Sequence, residues 1–280
     1  LMPWIKLGHL PVFAYILKKS TWGCLRSTIP PTTIPAWNSL FSGLRPENMR
    51  IYAFMHRVGN FVFKPYFLTR RAKKPNYLWD ILTQNGLKSV LVNIPVIHKP
   101  YPIDGYMTAG FLYVDENELS YPRELKTELD KVVGRYEVDL VTKYPLTKKE
   151  DVARLKRLTL KQIRAFEYLI KTKVWNAAFL VISASDTLQH RYYDDKKVLL
   201  DFYKMIDSEL AVLLNIVSRT CRDNYKVFIV SDHGFGEAKN VFHINTWLHS
   251  KGMVVLKDIY RNRIKSFNSL IPIVKNYILP

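Results

Sequence analysis

Cysteine is scarce in this chain, and long apolar runs are missing from it. Only Cys24 and Cys221 occur among the 280 residues, far apart and in no C-x-x-C pair. This usage argues against a disulfide framework and favours a reducing compartment such as the cytoplasm. No apolar run approaches the roughly 20 residues that cross a bilayer, and no signal-peptide pattern follows Leu1. We therefore expect a globular protein without a transmembrane segment.

Acidic residues are also few: 24 Asp and Glu stand against 42 Lys and Arg, which gives a formal net charge of +18. The basic residues are scattered and form no long block, so a solvated basic surface accounts for most of them. The excess still favours anionic partners, namely phosphate esters, nucleic acid or an anionic membrane surface. Internal repeats and low-complexity tracts are absent, and a hydrophobic fraction of 48% allows one large core.

Apolar runs alternate with helical periodicities along the chain. Continuous apolar stretches predict buried strands at 89–94, 178–182 and 227–230, and apolar residues at helical spacing predict helices over 148–173 and 195–219. Strands that are apolar on both faces suit a sheet covered on both sides. The pattern predicts an α/β fold with a largely parallel central sheet sandwiched between helices.

Acid–imidazole pairs follow two of these predicted strands. Asp186 and His190 have a D-x-x-x-H spacing that places both side chains on one face if the chain turns helical after Asp186, and Asp232 precedes His233 directly. The ends of parallel strands are where α/β proteins form sites, and carboxylate with imidazole suits zinc or manganese. Taken singly, each pair is more often a turn with a hydrogen-bonded histidine. Two pairs at two strand ends favour a metal site.

A third polar segment is the proline-framed "STIPPTTIPAWNSLFSG" at 27–43. Its pattern predicts a helix that starts near Pro35 and stops at Gly43, which puts Thr33 near the helix N-terminus. Backbone N–H groups there favour anions, so a threonine alkoxide at this place could attack phosphorus. The alternative is that Thr32 or Thr33 only caps the helix.

The order of these motifs resembles the alkaline phosphatase superfamily. The closest branch is the type I phosphodiesterase/nucleotide pyrophosphatase family, especially its predicted microbial phosphohydrolase/phosphomutase members. The resemblance covers nearly the whole chain and lies in "STIPPTTIPAWNSLFSGLRPE", "VNIPVIHKPYPIDGYMTAGF", "SASDTLQHRYY" and "SDHGFGEAKNVFHINTWLHSKGMV". It implies an alkaline phosphatase-like fold, and we expect 1–280 to form a single domain with a helical cap-like insertion around 115–172.

The resemblance also implies roles for individual residues. Thr33 matches the family's nucleophile, and Asp232 and His233 match ligands of the metal that holds it. Asp186 and His190 match ligands of a second metal. The implied reaction is in-line attack on an anionic phosphoester substrate, a phosphothreonine intermediate, and hydrolysis by a metal-bound hydroxide. The two divalent metals are expected to be Zn²⁺, with Mn²⁺ as the alternative.

The sequence departs from the family pattern in several places. Ser42 stands where a threonine is usual, and 49–54 lacks the family's His-Gly and acidic residue, which affects substrate contacts. No C/S-x-P-x-R motif surrounds Thr33, which argues against sulfatase chemistry. Asn245 matches a family residue interpreted as structural, and His243 lies in a predicted strand.

Two of the family's metal ligands are expected outside the given residues, upstream of Leu1 and downstream of Pro280, so the chain is expected to be incomplete at both ends. Two other functions remain open. One is a phosphomutase, in which the phosphothreonine passes to a sugar hydroxyl. The other is a non-catalytic module that binds nucleic acid through its basic surface.

Overall fold

The computed structural model describes residues 1–58, 63–65, 75–111, 115–138, 145–222, 224–237 and 239–254. The α-helices of this part of the chain are α1 (Met2–Lys6), α2 (Pro11–Lys19), α3 (Thr33–Ser42), α4 (Pro46–Met49), α5 (Leu78–Gln84), α6 (Leu125–Val133), α7 (Lys148–Thr172), α8 (Ala184–Tyr192), α9 (Lys196–Cys221) and α10 (Ile244–Ser250). The strands are β1 (Met55–Arg57), β2 (Phe63–Pro65), β3 (Ser89–Ile94), β4 (Gly105–Ala109), β5 (Ser120–Tyr121) and β6 (Ala177–Leu180), and a short 3-10 helix spans Glu116–Glu118.

The main sheet has the strand order β5-β4-β3-β6. β3 pairs in parallel with both β4 and β6, whereas β5 runs antiparallel to β4. β1 and β2 form a separate antiparallel pair. The predicted α/β class with a largely parallel sheet is confirmed, and α7 and α9 confirm the two predicted long helices to within two residues at either end.

β3 lies at the centre of the fold, and every one of its six residues is buried. Val90 and Val92 belong to a cluster with residues of α6, α7 and α9, and Leu91 belongs to a second cluster with residues of α3 and α5. Side chains alternate across a strand, so β3 is covered on both faces. The segment 115–172 contributes β5, α6 and α7, of which α7 packs on β3; its assignment as a cap stays a prediction.

Trp79 joins α3 to the sheet. Its side chain is fully buried, its ring lies 5.0 Å from the ring of Phe41 and 6.3 Å from that of Phe179, and its Nε1–H donates to the Tyr101 hydroxyl at 2.7 Å. Trp79→Ala should lower the free energy of unfolding by about 3–5 kcal/mol, because it removes these contacts and leaves a cavity.

Urea denaturation followed by circular dichroism measures this loss. Trp22 is 60% exposed, and Trp22→Ala serves as the matched control, with an expected change within about 0.5 kcal/mol. A Trp79→Ala protein whose midpoint equals that of the control would mean that this cluster does not anchor α3.

Two strand predictions are wrong. Residues 227–230 form no strand and are exposed, Phe228 by 85%, and residues 241–243 are irregular and lead into α10. Apolar side chains favour a strand, but a strand also needs a hydrogen-bonded neighbour. In the described part of the chain β6 ends the sheet, and 227–230 pairs with no strand there. None of the helices in the described part of the chain is long and apolar enough to cross a membrane.

Candidate active site

Thr33 is the first residue of α3, which ends at Gly43 in a left-handed conformation with φ of 70°. The predicted stop is correct, and the helix starts two residues earlier than predicted. Thr32 occupies the N-cap position, but its side chain accepts no capping hydrogen bond. The Thr33 hydroxyl instead lies 3.3 Å from Nε2 of His233, which is 200 residues away in sequence. The capping explanation therefore does not describe this pair of threonines.

His233 presents a lone pair to the site. Its Nδ1 lies 2.9 Å from the carbonyl oxygen of Gly234. A carbonyl only accepts, so Nδ1 carries the proton and, in the neutral ring, Nε2 is unprotonated. That Nε2 lies 3.3 Å from Thr33 Oγ1 and 3.3 Å from Asp232 Oδ2. The Oδ2 atom is buried and has no hydrogen-bond partner, as expected when one lone pair faces another.

Asp186 and His190 form the second pair, on α8. His190 Nε2 lies 3.5 Å from Asp186 Oδ1, one helical turn away. The Asp186 side chain as a whole is partly accessible, but Oδ1 is buried without a hydrogen-bond partner. The chain is helical here, so the D-x-x-x-H spacing places both side chains on one face.

The loop that carries Asp232 and His233 contacts α8 at His190. Phe235, from the loop that carries His233, packs edge-on against His190 with ring centroids 4.8 Å apart. Burial raises the pKa of Asp232, and it raises that of Asp186, where the imidazoles of His190 and His233 act in the opposite direction. Each carboxylate is thus held in a place that penalises its charge, a penalty that a bound cation would offset.

These donors fit a divalent metal. In tetrahedral coordination with bonds of about 2.0–2.1 Å, neighbouring ligand atoms lie about 3.3–3.4 Å apart. The separations of His233 Nε2 from Thr33 Oγ1 and from Asp232 Oδ2, 3.3 Å each, agree with that spacing. A metal-ligating histidine also typically donates its other N–H to a carbonyl, as His233 does. Among the described residues, no group of three or more His, Cys, Asp and Glu side chains could hold a metal, so each pair needs a further donor, and Thr33 supplies one.

The structure brings all five predicted site residues together, in two adjoining pairs, with Thr33 beside the pair formed by Asp232 and His233. His243 and His249 are exposed, and His249 Nδ1 lies 3.0 Å from the carbonyl of Val254. Sequence reasoning missed Phe235 and also Ser27, whose hydroxyl donates to the carbonyl of Asp232 at 2.6 Å. Phe235 could have been noticed as the aromatic residue inside the "DHGFG" turn. No local sequence pattern marks Ser27.

Comparison with known families matches residues 1–275 to the type I phosphodiesterase / nucleotide pyrophosphatase family. The match covers nearly the whole chain, so the chain belongs to this family and, with it, to the alkaline phosphatase superfamily. It is therefore a hydrolase that acts on phosphoester bonds. No curated protein and no solved structure matches the chain. Family membership confirms the resemblance and the fold class; the roles of the five residues stay predictions.

Proposed function

We propose that the protein is a metal-dependent phosphodiesterase or nucleotide pyrophosphatase in which Thr33 is the nucleophile. One observation carries this proposal. His233 Nε2 lies 3.3 Å from Thr33 Oγ1, which is 200 residues away in sequence, and 3.3 Å from Oδ2 of the adjacent Asp232. The Asp232 oxygen lacks any hydrogen-bond partner, so a cation between these atoms would resolve an otherwise repulsive arrangement.

Two divalent metals would occupy the site, and Zn²⁺ is the first choice because imidazole and carboxylate suit it, with Mn²⁺ the alternative. Thr33, Asp232 and His233 would hold one ion, and Asp186 and His190 the other. Such ions supply Lewis-acid stabilisation of phosphoryl oxygens and lower the pKa of coordinated hydroxyls and water.

The chain's own residues then account for the reaction. The Thr33 hydroxyl loses its proton to solvent and its oxygen forms a bond to phosphorus, while the ester bond opposite it breaks; the leaving oxygen keeps the electron pair and takes a proton from solvent. Phosphothreonine results, and a water oxygen later forms a bond to phosphorus as the bond to Thr33 Oγ1 breaks and Thr33 regains a proton. The N–H groups of Thr33 and Ile34, in the first turn of α3, would favour the anionic phosphoryl group. Phe235 and Gly234 hold the two imidazoles in their orientations.

The substrate would be a small anionic phosphoester, which suits the net charge of +18. Cys24 and Cys221 are both free thiols, and a reducing compartment such as the cytoplasm is the expected location.

Hydrolysis of bis(p-nitrophenyl) phosphate tests the proposal. Chelator-treated protein should be inactive and should regain turnover with added Zn²⁺ or Mn²⁺, and acid quenching with mass spectrometry should find phosphate on Thr33. Activity that persists in excess chelator would contradict the metal role. A phosphorylated Thr33 that transfers its group to a sugar hydroxyl rather than to water would identify a phosphomutase, and salt-sensitive DNA binding without turnover would identify a nucleic-acid-binding module.

A further inference from the structure

α8 carries Asp186 and His190 but has little apolar surface with which to fix its position. Of its nine residues, only Ala184, Thr187 and Leu188 are buried. Ala184 and Leu188 pack into a cluster with residues of α7 and α9. Both belong to the first two turns. In the last turn, His190 is exposed and Tyr192 is only partly buried against the same cluster, so few apolar contacts hold the His190 end of the helix.

A buried carboxylate on α7 holds that end. Both oxygens of Asp151 accept hydrogen bonds from Nη1 of Arg191, at 2.8 and 2.7 Å, and Oδ2 also accepts from the Tyr192 hydroxyl at 2.9 Å. Arg154 adds a contact at 3.3 Å from the same helix. Arg191 and Tyr192 directly follow His190 in the sequence. The contacts of Asp151 therefore act on the turn that presents this imidazole.

Asp151 is itself held in place. Its residue exposure is 4%. It lies in the first turn of α7, where Thr147 and Glu150 form a capping box that fixes the helix start. One and two turns further on, Leu155 and Leu158 pack into the same cluster as Leu188. Burial alone would raise the pKa of Asp151, but the hydrogen bonds and charge of Arg191 hold it below its ordinary value, so the carboxylate stays ionised.

A buried ion pair is weak evidence for stability, because desolvation of the two charges offsets most of their attraction. Fixing one arrangement among several is the better-attested use of such a pair. The carboxylate of Asp151 contacts three side chains directly. Two of them, Arg191 and Tyr192, belong to the same turn of α8 as His190. The buried charge of Asp151 is therefore explained by the orientation that it gives to α8, rather than by added stability.

We propose that Asp151 is a positioning residue: through Arg191 and Tyr192 it locks α8 in the orientation that presents His190 and Asp186 to the second metal. This inference rests on the proposed function for the role of that metal. The contacts of Asp151 with Arg191 and Tyr192 are present in the metal-free chain.

The test compares Asp151→Asn with Glu167→Gln. Glu167 is a matched control because it is a buried carboxylate of the same helix, paired with Arg164 at 2.5 Å and with Lys171 at 3.9 Å, both on α7. Hydrogen exchange of the metal-free proteins reports on α8 directly. Asp151→Asn should speed exchange of the α8 amides about tenfold or more relative to α9, whereas Glu167→Gln should leave that ratio unchanged.

Zinc competition with a chromophoric chelator supplies the second measurement. Loss of an outer-shell partner weakens metal binding by about 10–100-fold, and Asp151→Asn should weaken one of the two zinc ions by that factor. Tyr192→Phe removes a single hydrogen bond and should give a smaller change in the same direction, which keeps the test informative if Asp151→Asn folds poorly.

Unchanged α8 exchange in both Asp151→Asn and Tyr192→Phe overturns the positioning role, whatever the activity. An equal acceleration of α8 exchange in the Glu167→Gln control also overturns the positioning role, because the effect would then be one of general stability. A protein that shows the α8 effect but hydrolyses no phosphodiester and binds no zinc would instead refute the proposed function, and the two failures are thereby distinguished.

Discussion

Thr33→Ala is expected to reduce hydrolysis of bis(p-nitrophenyl) phosphate by at least about a thousandfold, since nucleophile replacements in covalent catalysis cost factors of this size or more. Thr33 Oγ1 lies 3.3 Å from His233 Nε2, and an alanine there has no atom to form the bond to phosphorus. The fold should persist, because the side chain contributes at most about 1 kcal/mol as a helix-terminal residue. Steady-state rates in excess zinc, with thermal unfolding in parallel, measure both effects.

Thr32→Ala is the matched control for this experiment. Thr32 is the adjacent threonine and the N-cap of α3, and its side chain makes no capping hydrogen bond. It should retain activity within a few-fold of the parent. Comparable losses in the two variants would mean that the start of α3, rather than the Thr33 oxygen, matters. Full activity in a clean Thr33→Ala preparation would refute the nucleophile assignment.

Asp232→Asn should have an effect of similar size by a different route. The amide keeps the shape of the side chain but loses the negative charge that binds a divalent cation, so we expect about a hundredfold or greater loss of activity and a lower zinc stoichiometry after dialysis. Metal content by mass spectrometry and rates over a range of zinc concentrations measure the change. High zinc should restore part of the rate, which it cannot do for Thr33→Ala.

The metal-free protein distinguishes a functional from a structural role for Asp232. Burial raises the pKa of Asp232, so at neutral pH the ionised side chain lowers the stability of the folded chain and a neutral amide removes that penalty. The melting temperature of metal-free Asp232→Asn should therefore equal or exceed that of the parent. Asp201→Asn, at an exposed position of α9, is the control and should change neither activity nor stability. A large drop in melting temperature for Asp232→Asn would show that the carboxylate is structural.

The sequence predicted the elements whose signals are local. The periodicity of 148–173 and 195–219 identified α7 and α9, because an amphipathic helix repeats its apolar positions within a few residues. The apolar run at 89–94 identified β3, which is buried on both faces. The D-x-x-x-H spacing on α8 and the stop of α3 at Gly43 are likewise decided by the backbone geometry of a single helix.

Other features depend on chain segments far apart in sequence, and local patterns do not contain them. Residues 227–230 have strand-like composition but form no strand, because pairing depends on a neighbour that composition does not specify. The contact between Phe235 and His190 and the pairing of Asp151 with Arg191 join different elements.

The sequence by itself determined the residue types of the site, the α/β class and the helix that carries Thr33, since these follow from side-chain chemistry and short-range patterns. Only the tertiary structure decided that Thr33 meets His233 across 200 residues of chain and that the lone pair of His233 Nε2 faces Asp232. The physical reason is that chain packing sets distances between remote side chains, and packing is a property of the whole core rather than of any segment.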